Sequence, residues 1–372
     1  MVEEDIEQKK RLMRFLWKNG YLVRKNIDLV RYDFGKRTED TYTDIDVIGI
    51  NHQFDFQVEK AIAYCTESKT LKSKKLLFWL AGLKDLVDAN KAFFVRSEIL
   101  ESRYSDIAQK LGIIPLSTDL IDNLEATYSI DNNLFIGAFN QDCFKKESEA
   151  FQNLREIEKK VYSYLKVDYW VDNDPYKKII TLLHSMQLIG NNKGITKENS
   201  FFLKMYCMSF LSLTILDFSR PILFIKASDR EYQIKERLLG GDSAFTKRKQ
   251  IEGFYDFMTA EIGKKYRQKY DIPKSGFLEQ FYPKYTKYLV DIIERCCNNP
   301  RISVYVPNLI DLIAYENGLL GKKIDLKLIK TFYEGNNNEI LKKIGKDMLI
   351  FAQRSESITE EDVIRASEIM VF

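Results

Sequence analysis

Histidine is nearly missing from this chain: His52 and His184 are the only two among 372 residues. That scarcity excludes histidine-rich metal centres and HNH- or HD-type phosphoesterase sites, and it leaves little room for a Ser-His-Asp apparatus. Carboxylate chemistry remains. His52 stands beside Asn51 where a hairpin turn is expected, and His184 lies on a helical stretch, so both read as structural or exposed. Cysteine is sparse and unpatterned. Cys65, Cys143, Cys207, Cys296 and Cys297 are odd in number and contain no C-x-x-C pair, which argues against a disulfide framework or a zinc knuckle and fits a reducing cytoplasm. The N-terminal MVEEDIEQKK has no apolar signal-peptide core. The longest uncharged apolar run, Met205 to Leu216, falls short of the roughly 20 residues a membrane span needs and reads as a buried core helix, so no membrane is expected among the partners. No fixed-period repeat points to a solenoid. The net charge of +3 neither requires a nucleic-acid partner nor excludes one.

What is present is 45% hydrophobic and 13% aromatic, enough for sizeable cores, and the length suggests two domains. Glu3 to Asn19 has Ile6, Leu12, Phe15, Leu16 and Trp17 at helical spacing and stops at Gly20. Tyr21 to Val23 reads as a first short strand. Thr43 to Lys75 reads as a strand, a hairpin, a second strand over Ala61 to Lys69 and the start of a helix. Leu71 to Val87 continues as an apolar-faced helix, Lys91 to Arg96 as a strand, Ser105 to Leu111 as a short helix and Ile113 to Leu116 as a further strand.

Side chains two apart on a strand point to the same side, so Asp44 and Asp46 share one face of their strand and Glu67 and Lys69 share one face of theirs. Two carboxylates and an amine can then converge. Hard carboxylate oxygens suit Mg²⁺ or Mn²⁺, which polarises a phosphodiester and acidifies a water, while an ammonium orients that water or offsets charge on phosphorus. Asp46, Glu67 and Lys69 fit those roles. The spacing D-x(20)-E-x-K across a hairpin, with the surrounding order helix, three strands, helix, strand, helix, strand, resembles the PD-(D/E)xK nuclease superfamily over residues 1–125. Ile45-Asp46 stands where the literal "PD" would be. The resemblance implies a restriction-endonuclease-like α/β fold, a mixed sheet flanked by helices. It also implies one or two Mg²⁺ (or Mn²⁺) ions held by Asp46, Glu67 and the backbone carbonyl of Ser68, with Lys69 positioning the attacking water. Asp44 is a second acid or the true ligand. Glu7 on the first helix, with Glu4 one turn earlier, is the candidate to complete the metal site; acids in a first helical turn also satisfy the dipole alone. Lys72, Lys74 and Lys75 at the start of the next helix are cations where an anion is favoured, which suits phosphate binding.

Residues 126–147 read as a connection rich in Asn, Asp and Ser, and residues 148–372 as helical almost throughout. Ser148 to Lys166, Pro175 to Ile189, Lys197 to Phe218 (ended by Pro221), Asp229 to Leu239, Thr246 to Tyr270 and Phe277 to Cys297 carry the pattern. Shorter helices follow to Thr359 to Met370, whose Thr359 and Asp362 form a capping-box-like start. Paired cations here mostly read as solvated helix faces. Lys247, Arg248, Lys249, Lys264 and Lys265, with Arg267 and Lys269, recur among Phe254, Tyr255, Phe257, Tyr266 and Tyr270. That mixture suits a phosphate backbone or unpaired bases, although aromatics at this spacing also serve a core. By analogy of fold and domain order the expectation is an endonuclease acting on DNA rather than RNA. Its setting would be bacterial defence in the cytoplasm, with the helical part recognising substrate, a protein partner or a second copy. A catalytically silent nuclease-fold module and an RNA-directed or repair nuclease are the alternatives.

Overall fold

The computed structural model describes residues 6–33, 36–66, 73–130, 141–239, 244–266, 282–324 and 326–370. Helix α1 (Ile6–Lys18) buries Leu12, Met13, Leu16 and Trp17, the stripe its apolar spacing predicts. It stops at Gly20, whose φ of +83° lets the amides of Gly20 and Tyr21 turn back onto the carbonyls of Trp17 and Leu16. Five strands follow: β1 (Leu22–Asp33), β2 (Lys36–His52), β3 (Val58–Thr66), β4 (Lys91–Arg96) and β5 (Ile113–Ser117), adjacent in chain order in a single sheet. The first three form an antiparallel meander, whereas β3, β4 and β5 run parallel. Parallel neighbours need crossovers, and α2 (Ser73–Leu86) and α3 (Ser102–Lys110) supply them. Four consecutive buried residues in β4, Ala92 to Val95, mark a strand covered on both faces. Helix α4 (Thr118–Thr127), capped by the Ser117 hydroxyl, clamps α1 through Glu125, which takes Arg11 at 2.6 Å and Arg14 at 3.3 Å.

The mixed sheet with flanking helices is thus the N-terminal architecture, and from α5 (Gln141–Ile157) onward the described chain is helical. Two strand expectations need correcting. The first strand is not the short Tyr21 to Val23 but runs ten residues further, to Asp33, and β2 begins at Lys36 rather than Thr43. The added length, RKNIDLVRYD against KRTEDTY, is largely polar, and the buried alternating pair Ile27 and Leu29 is too short to mark a strand of this length. Helix α5 begins at Gln141, ahead of the expected Ser148. The long helix Lys197–Leu223 passes through Pro221 instead of ending at Phe218. So near a C-terminus the proline breaks a single ladder bond and has little helix left to kink. That helix has the length and apolarity to cross a membrane, but its Met205 to Leu216 run is entirely buried in the fold. The Thr359 and Asp362 capping box forms as expected.

The sheet and the helices share one continuous hydrophobic core. At its centre the Arg24 guanidinium of β1 meets Asp311 in two contacts, 2.7 and 3.1 Å, with side chains 1% and 0% exposed. Ser209 accepts a further hydrogen bond from Arg24 at 2.9 Å, and the rings of Tyr206, Phe210 and Tyr315 surround the cation. Asn308 donates to the carbonyl of Tyr21, and the Trp17 indole donates to Thr331.

Candidate functional site

Asp46 sits where β2 parts from β3. The β2–β3 ladder runs from His52↔Val58 to Val47↔Ala63; beyond it β3 continues only alongside β4. The Asp46 carboxylate fills the fork, and its Oδ2 accepts the Cys65 amide N–H at 2.8 Å, replacing the ladder bond lost there. Asp46 is 8% exposed. Its Oδ1 holds the Lys9 ammonium of α1 at 2.6 Å, and Lys9 also donates to Asn26 Oδ1 at 3.0 Å. Burial pushes the Asp46 carboxyl above the usual range, Lys9 and the Cys65 amide pull it back, and the charge of Asp44 adds to the rise. Asn26 lies across the β1–β2 pair between Lys25↔Val47 and Ile27↔Ile45 with φ of +51°, a left-handed conformation that asparagine tolerates in a strand better than most residues do.

The remaining expected residues fall in different places. Asp44 is exposed on the strand face that carries Asp46. The Glu7 side chain, 58% exposed, pairs with Lys10 at 3.3 Å and Arg14 at 3.4 Å. Glu67, Ser68, Lys69 and Lys72 lie outside the described residues, as does Glu4; β3 is described up to Thr66. Lys74 and Lys75 are exposed in the first turn of α2, beside Ser73, which accepts a hydrogen bond from Arg96 at 3.0 Å. Lys247, Lys249, Lys264 and Lys265 are exposed on the helix Ala244–Tyr266, with Lys264 held by Glu261 at 2.8 Å. On that helix Phe254, Phe257 and Tyr266 are 54%, 61% and 57% exposed, so these three aromatics do not serve a core, whereas Tyr255 does at 7%. The Arg248 side chain, with Arg267, Lys269 and Tyr270, is outside the described residues.

Lys9 and Asn26 are the site residues that sequence reasoning overlooks. Lys9 looks like one more solvated cation in EQKKR, and only the packing of α1 over the β2–β3 fork sets it apart. Among the described residues no group of three histidine, cysteine or acidic side chains is preassembled around a metal position. The donor chemistry at Asp46 nonetheless fits a hard cation: it is a carboxylate oxygen in a fork that already holds a positive group, the Lys9 ammonium, at 2.6 Å. The chain matches no protein-family model, no curated protein and no solved structure.

Proposed function

We propose that the chain is a metal-dependent endonuclease that hydrolyses DNA phosphodiester bonds from a PD-(D/E)xK-type core, in the setting of bacterial defence. The observation that carries this reading is Asp46: a buried carboxylate in the fork of β2 and β3, tied to the Cys65 amide, two residues before Glu67-Ser68-Lys69. In the proposal Asp46, Glu67 and the Ser68 carbonyl hold Mg²⁺ or Mn²⁺, and Lys69 orients the water for in-line attack. The divalent ion, when bound, supplies positive charge against the phosphate as negative charge develops there. Lys9 neutralises Asp46 in its absence, and Asn26 remains as a partner for the ammonium when the carboxylate takes a metal. Lys74 and Lys75 add cations in the first turn of α2 for the phosphate backbone.

The test is nicking of supercoiled plasmid with Mg²⁺, Mn²⁺ or EDTA, comparing the native chain with Asp46→Asn and Glu67→Ala. Metal-dependent nicking or linearisation that both variants lose is expected; cleavage unchanged in either variant overturns the assignment. One observation favours the second reading, a silent nuclease-fold module. Both Asp46 oxygens already have protein partners, as in a purely structural ion pair. Under that reading Mn²⁺ does not bind and no metal supports cleavage, while nucleic-acid binding persists.

A further inference from the structure

A cleft of about 620 Å³ opens between β1 and the helical run from α5 to Asp168, lined by Lys25 and Asn26 on one side and by Glu147, Phe151, Arg155, Lys159, Tyr162 and Lys166 on the other. Its volume is that of a small-ligand site, about 300–1,000 Å³. Four cations line it, Lys25, Arg155, Lys159 and Lys166, against two carboxylates, Glu147 and Glu156. The deep end is the informative part. Glu147, 4% exposed, is shared by two ammonium groups: Lys25 at 2.8 Å and Lys166 at 4.0 Å. The Lys166 side chain is 12% exposed and lies over the Phe151 ring, and among the described residues its ammonium makes no hydrogen bond. An ammonium has three donors, and a single carboxylate at 4.0 Å leaves it room for further acceptors. Burial lowers the affinity of both lysines for their protons, with Lys25 brought down to about 8; Glu147 opposes this for both, and Asp28 on β1 opposes it for Lys166. An anion in the cleft would add acceptors to the one that Glu147 offers Lys166. Nearer the rim, Arg155 lies over the half-buried Tyr162 ring, 5.6 Å from its centroid, a surface on which a planar base can stack.

We infer that this cleft binds the phosphate of a nucleotide unit, its charge against Lys166 and Lys25 and its base toward Tyr162 and Arg155. Asn26 belongs to the cleft wall and also shares Lys9 with Asp46, so a strand held here runs toward the fork. That last step rests on the hydrolase reading; the phosphate site does not.

The experiment is fluorescence anisotropy of a labelled thymidine tetranucleotide in EDTA, with unlabelled tetranucleotide, thymidine monophosphate and inorganic phosphate as competitors. The native chain is compared with Lys166→Met and with Arg155→Ala, the latter an exposed rim change that leaves the core alone. Tetranucleotide binding is expected to weaken at least tenfold in Lys166→Met and several-fold in Arg155→Ala. The slope of log affinity against log salt should fall by about 0.7 in Lys166→Met, the contribution of one phosphate on a single strand. Competition by the tetranucleotide well below the concentration of monophosphate identifies a strand as the ligand; equal competition identifies a free nucleotide, and either supports the site. No binding, or binding and salt slope unchanged in both variants, overturns it. Because the readout needs no metal, plasmid cleavage that persists with an affinity indifferent to Lys166 and Arg155 removes the cleft and leaves the hydrolase standing.

Discussion

Among the buried carboxylates that hold a cation, Asp311 and Asp46 are built differently. Asp311 lies in the middle of the core, meets the Arg24 guanidinium in two contacts, and shares that cation with Ser209 and three aromatic rings. Asp46 lies at a sheet fork with one ammonium and one amide as partners, and its ammonium is itself divided with Asn26. A guanidinium in a fixed bidentate geometry suits permanence, whereas a single ammonium on a long stem can leave. The first pair has the marks of architecture, and in the proposed function the second is the exchangeable one.

Removing Asp311 gives the largest expected effect. Asp311→Ala leaves Arg24 charged and unpaired in the core, and denaturant unfolding should show a loss of about 3–5 kcal/mol; a loss below 1 kcal/mol would place Asp46 and Asp311 in the same class. Asp46→Asn should do the reverse, cutting metal-dependent cleavage at least about 100-fold and moving stability by no more than about 1 kcal/mol. The sign follows from its raised pKa. The folded carboxyl binds its proton more tightly than the unfolded chain does, so ionised Asp46 lowers stability as pH rises through that window, and the amide escapes this. A smaller change should come from Lys9→Met, which frees Asp46 Oδ1: Mn²⁺ affinity, read by calorimetry or paramagnetic resonance, should tighten about tenfold, or 1.4 kcal/mol. Weaker Mn²⁺ binding in that variant would make Lys9 a support of the site rather than its placeholder. Smallest is the titration of Lys25, which faces Glu147 and Cys143 of α5 and Lys166 beyond it and whose pKa burial brings to about 8. The folded protein releases this proton before the unfolded chain does, so stability should rise between pH 8 and 9 by about 1 kcal/mol from this group, a rise that Lys25→Met should lack.

The contrast also separates what the sequence made legible from what it did not. Apolar period alone locates α1, β4 and the long helix Lys197–Leu223, because each buries a contiguous face or all of its surface. Asp46 was legible through its place ahead of Val47 to Ile50 and the spacing to Glu67, but Glu67 and Lys69 themselves lie outside the described residues. The extension of β1 and β2 was illegible because, beyond the buried Ile27 and Leu29, backbone pairing rather than a sustained apolar period defines it. Arg24 and Asp311 were illegible for a different reason: they are 287 residues apart, and each reads as an ordinary surface charge until tertiary packing encloses it. Lys9 and Lys166 are hidden likewise among many lysines, since only the neighbour across the packing interface makes either unusual.

Arg24 also bears on how the chain can be divided. A fragment ending near residue 125, the span that resembles a nuclease, would keep Arg24, Trp17 and Tyr21 but lose Asp311, Ser209, Thr331 and Asn308. Its sheet would present a naked guanidinium and a broad greasy face to water, the ingredients of an insoluble recombinant product. Subcloning the first 125 residues alone is therefore the wrong route to a minimal folded unit; the helices are part of its solvent.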